Sequence, residues 1–141
     1  MPAPGNDPPP AASSRPRRRG RGPAVLFLVL FLAAGLGALY VWMALSYSYS
    51  DGERAGYLQK FSRKGWICKS WEGEIAMVSL PGTPAQIFAF TVRDPAVAAG
   101  LGRIIGQRVA IHYEQHRGVP TSCFGETEYY VTSARPVPPQ P

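Results

Sequence analysis

Two kinds of apolar pattern divide the chain. From Ala24 to Leu45, apolar residues run on without a charged position. Beyond residue 51, apolar and polar residues alternate in short stretches broken by glycine and proline. The first pattern has no polar face. As a helix it would extend about 33 Å, against a bilayer hydrocarbon core of about 30 Å. A helix apolar all round needs burial all round, and the rest of the chain is too small to supply it. Residues 24–45 are therefore predicted to cross a membrane. Tyr40, Trp42 and Tyr47 lie towards the far end, where aromatic rings favour the interface. The run is longer than the roughly 7–15 apolar residues of a cleaved signal sequence, which predicts a retained anchor.

The second pattern has period two, the repeat of a strand with one buried face. It predicts strands over residues 53–62, 66–80, 86–93, 107–115 and 127–134, bounded by turn signals. Lys64-Gly65 is read as a tight turn into the second strand. On that strand Trp71, Gly73, Ile75, Met77 and Ser79 share a face, and Gly73 is read as a bulge or bend. On the third, Phe88, Phe90 and Val92 oppose Ile87, Ala89 and Thr91. Asp94-Pro95 is a helix start, with Asp as the cap and Pro at the first helical position. Val97, Leu101, Ile104 and Ile105 follow at helical spacing, and Gly106 ends the helix.

Three strands, a helix and two strands make the fold class mainly β. The expected architecture is a small five-stranded OB-like barrel with one short helix between strands 3 and 4, preceded by one transmembrane helix. An open, bent α+β sheet has the same order of elements. Closure would remove the edges that so small a β domain cannot otherwise protect.

Composition sets the flanks. Residues 1–23 hold seven prolines and no apolar cluster, which predicts a disordered basic tail. Residues 46–51 are expected as a linker, 52–135 as the β domain and 136–141 as a second disordered tail. The net charge is +6, but most of it sits in Arg15, Arg17, Arg18, Arg19 and Arg21. These five determine topology: positive charge before the span places the N-terminus in the cytoplasm and the β domain outside. A nucleic-acid-binding domain would carry its own basic face, so no nucleic-acid partner is expected.

Candidate chemistry is sparse. Cys68, placed early on strand two, and Cys123, placed before strand five, can pair in an oxidising compartment; two buried thiols are the other reading. His112, Glu114 and His116 share one face of the fourth strand and have the ligand types of a metal triad. At strand spacing they span about 13 Å, too far for one ion unless the strand bulges. Cys123 with His116 offers a thiol and a base, but nothing around them specifies an oxyanion site. Trp66, Trp71, Phe88, Phe90, Tyr129 and Tyr130 suffice to fill a core. Lys60, Arg63, Lys64 and Lys69 cluster near the first turn, either as a solvated hairpin tip or as a patch for phosphate, acidic glycan or headgroups.

The segments YSDGERAGYLQKFSRKGWICKSWEGEIAM, FTVRD and VAIHYEQHRGVPTSCFGETEYYVT resemble a family of short, single-span bacterial envelope proteins of uncharacterised function. Many members carry the label 6-phosphogluconate dehydrogenase. The residues speak against that label: there is no G-x-G-x-x-G after a strand, and Gly100-Leu101-Gly102 falls inside the predicted helix. The resemblance implies a bacterial envelope location, with the anchor in the inner membrane and the domain in the periplasm. No cofactor is expected. The functional expectation is a binding or scaffolding module that contacts an envelope protein or a glycan. The alternative is a small enzyme or metal-dependent factor using His112, Glu114, His116 and Cys123.

Overall fold

The structure is a computed structural model and describes residues 1, 5, 21–77 and 81–138. The chain divides into two units, residues 1–35 and 36–141. The first carries the greater part of α1 (Gly22–Ser46). The second carries the last turns of α1, then β1 (Ser50–Lys64), β2 (Ser70–Met77), β3 (Gln86–Val92), α2 (Pro95–Arg103), β4 (Arg108–Gln115) and β5 (Tyr129–Pro136).

α1 starts with Pro23 in its first turn, where a missing N–H costs no helical bond. Its 25 residues include no buried position. It is long and apolar enough to cross a membrane. Of the five arginines before it, Arg21 is described; Arg15, Arg17, Arg18 and Arg19 lie outside the described residues.

The strands form a closed barrel in the order β1-β2-β3-β5-β4. All neighbours are antiparallel except β3 and β5, which meet in parallel at Thr91 and Tyr130. Five strands closed this way, with α2 between β3 and β4, make an OB-fold. The core holds Leu58, Ile75, Phe88, Phe90, Val92, Val109, Ile111 and Val131, with Ala98 and Leu101 entering from α2. Asp94 caps that helix by accepting from the Ala96 N–H at 2.7 Å. Val97 and Ile104 pack against the core, whereas Ile105 remains exposed.

β1 serves two neighbours in turn. Residues Ser50 to Tyr57 pair with β4, and Tyr57 to Lys64 pair with β2. The strand therefore starts inside the segment expected to be a linker, because its first residues find partners on β4. The bend between the two halves is supplied by a register shift between Leu58 and Lys60. Gly73, expected to be the bulge, stays in register opposite Phe61; a Cβ there would collide with the Phe90 ring. Its role is to admit that ring. β2 begins at Ser70 rather than Trp66, so Cys68 lies in the loop before the strand. β5 begins at Tyr129 and extends to Pro136, one residue into the expected tail. The expected end of strand two (78–80) and residues 139–141 lie outside the described residues.

Candidate functional site

The loop between β1 and β2, residues 65–69, is short and sharply turned. Gly65 takes φ +126°, and a Cβ at that position would run into the Cys68 carbonyl. The turn carries two apolar side chains outward: Trp66 and Ile67 are 102 % and 97 % exposed. Trp66 is thus a correction to the expected core, which uses Phe88, Phe90 and Tyr130 as buried rings and Trp71 and Tyr129 as partly buried ones.

The long loop between β4 and β5, residues 116–128, folds back towards the same place. Cys68 and Cys123 form a disulfide with their Cα atoms 4.8 Å apart. Lys64 and Glu126 add an ion pair at 3.3 Å. The firmest non-covalent tie is Glu72, which is 5 % exposed on β2. Its carboxylate accepts from the Ser70 hydroxyl (2.6 Å), the Thr91 hydroxyl (2.8 Å) and the Glu126 N–H (3.1 Å). Three donors satisfy most of what a buried carboxylate loses on leaving water. The two loops and Ser70 enclose a groove of about 320 Å³ with both half-cystines in its wall. Loops at this end of an OB-fold commonly hold its ligands.

The residues considered for metal binding or catalysis are not drawn into one site. His116 and Glu114 approach each other at 3.3 Å, but His112 lies beyond a register shift in the β4–β5 ladder. No group of three metal-ligating side chains occurs among the described residues. Cys123 is bound in the disulfide and offers no thiol. His116, 4 % exposed, instead faces the end of α1: its Nδ1 lies 3.3 Å from the Ala44 carbonyl. A carbonyl only accepts, so Nδ1 is the donor there. Beside it the Tyr40 hydroxyl donates to the Gly118 carbonyl at 2.9 Å. His116 also meets the ring of Tyr130 edge-on. Burial pushes the Tyr130 phenol above its ordinary value, with Arg93 opposing.

The sequence reading missed Glu72 and the exposure of Trp66. An acid at a period-two position next to Gly73 gave a faint signal for the first. Nothing local distinguishes a core tryptophan from a displayed one.

No curated protein matches the chain. A solved structure that is similar is that of the mitochondrial single-stranded DNA-binding protein Rim1 from S. cerevisiae, at 10 % identity and a TM-score of 0.48. The match covers 64 % of this chain and 96 % of that one. Residues 47–140 match the family described as a domain of unknown function (DUF8785), and the chain belongs to that family.

Proposed function

We propose that the chain is a membrane-anchored binding module that docks a second envelope protein. In this reading α1 crosses the bacterial inner membrane, the arginine-rich segment lies in the cytoplasm, and the barrel stands in the periplasm. The disulfide fits an oxidising compartment of that kind. One observation carries the reading: Trp66 and Ile67 are bare on a loop that a disulfide braces. Trp is among the side chains that most often anchor protein interfaces, and a loop held in shape loses little entropy on docking. A glycan partner is the weaker choice, because two exposed apolar side chains favour an apolar pocket on a protein.

The test uses the full chain in cells of the source organism, with a photo-crosslinking amino acid in place of Trp66 or, as a control, of the exposed Gln59 on β1. The expected result is one protein adduct from position 66 that position 59 does not give. Adducts with lipid alone, or the same set from both positions, overturn the proposal.

A further inference from the structure

Three cations come to one place from three parts of the chain. Arg63 is the penultimate residue of β1, Lys69 closes the following loop, and Arg93 follows β3. They line a groove of about 270 Å³ together with Ser70, Trp71 and Phe124. All three are exposed, and none makes an ion pair among the described residues. Elsewhere on the barrel, Lys60, Lys64 and Arg135 each meet a carboxylate, at 3.0, 3.3 and 3.3 Å. Arg54, Arg103 and Arg117 make no ion pair among the described residues either, but they do not line this groove. The acids close by in the chain turn to other partners: Glu72 accepts from two hydroxyls and an N–H, Glu126 pairs with Lys64, and Asp94 accepts from the first turn of α2.

The groove is also held in shape. The Arg63 guanidinium sits 5.4 Å from the centre of the Trp71 ring, and that indole stacks on Phe61 with an interplanar angle of 3°. Stacking fixes the plane of a guanidinium and leaves its N–H edge free to bind oxygen. Arg93 is held over the ring of Tyr130 at 5.8 Å. Cys123 in the wall is fixed by its disulfide. Three cations that converge without an ion pair among the described residues repel one another, and an anion among them relieves that repulsion.

We propose that this groove binds a phosphate group, either of a soluble phosphate ester or of a lipid headgroup. Several acceptor oxygens on one phosphate match several convergent N–H donors. The inference does not depend on a protein docked at Trp66, and the two fail separately.

The experiment uses the full chain in phosphatidylcholine nanodiscs, with the indole N–H signals of Trp42, Trp66 and Trp71 followed by NMR. Inorganic phosphate is titrated against chloride at matched ionic strength. The Trp71 signal is expected to move saturably with phosphate and not with chloride, while Trp42 stays. Arg63→Gln and Lys69→Gln should each weaken binding about tenfold, the effect of one charge-assisted hydrogen bond. Lys69→Gln touches no aromatic ring, so its effect is free of lost stacking. Trp66→Ala should leave phosphate binding unchanged. In nanodiscs containing phosphatidylglycerol, a Lys69-dependent shift without added phosphate assigns the group to a headgroup. A Trp71 signal that answers neither source, or answers chloride equally, overturns the proposal, as does unaltered binding by both variants.

Discussion

The body of the barrel and its loop end are held together by different means. In the body, Leu58, Ile75, Phe90, Val109 and Ile111 are fully buried, and surface charges such as Lys60 and Glu74 are paired. At the loop end the apolar side chains Trp66 and Ile67 face outward, and Arg63, Lys69 and Arg93 make no ion pair among the described residues. Ties that hold that end include a disulfide, the Lys64–Glu126 ion pair, the buried Glu72 carboxylate and the Thr91–Thr127 contact. Covalent and polar ties release apolar and cationic side chains from structural duty. Stability is concentrated in the body, and display at the loops.

The comparison can be broken most severely in the body. Phe90→Ala empties the space that Gly73 leaves open and should destabilise the domain by about 3–5 kcal/mol in denaturant titration. Next comes the disulfide. It joins residues 55 apart in sequence, and replacing both cysteines by serine should cost about 2–4 kcal/mol by loop-closure entropy. Hydrogen exchange should then rise mainly in residues 65–69 and 116–128; uniform loss across the barrel would show that the loop end is not a separate layer of stability.

Glu72→Ala sharpens the contrast further. It strips an acceptor from two hydroxyls and one N–H and should cost about 1–3 kcal/mol, again with protection lost first in the long loop. A smaller effect follows pH. Burial raises the Tyr130 phenol in the folded chain, so the unfolded chain gives up its proton first, near the ordinary 10.0. The stabilisation is complete below that pH and is lost as pH rises through it towards the folded value. Tyr130→Phe should remove this slope from unfolding curves taken above pH 10, relative to the other tyrosines. The smallest change in stability is expected for Trp66→Ala, within about 0.5 kcal/mol. A larger loss would mean that the exposed indole serves the fold.

Much of the architecture was legible in local pattern. Phe88, Phe90 and Val92 share one face of β3, as period-two spacing predicts, and all three are buried; Thr91 from the opposite face is buried as well. Asp94-Pro95 announced α2 because a cap and a first-turn proline act through the adjacent backbone alone. Strand limits were less legible. Whether residues 50–52 are linker or strand depends on β4 lying alongside, and that partner is distant in the chain.

The sequence by itself determined the apolar helix, the five strands with a helix between the third and fourth, and which residues of β3 share a face. Each follows from spacing within a few residues. Only the tertiary structure decided that Gly73 makes room for Phe90, that His116 turns to the end of α1, and that Glu72 pins a loop. It also decided that Arg63, Lys69 and Arg93 share a groove. These depend on partners brought together by barrel closure, and one residue's neighbours across a barrel leave no period in its own sequence.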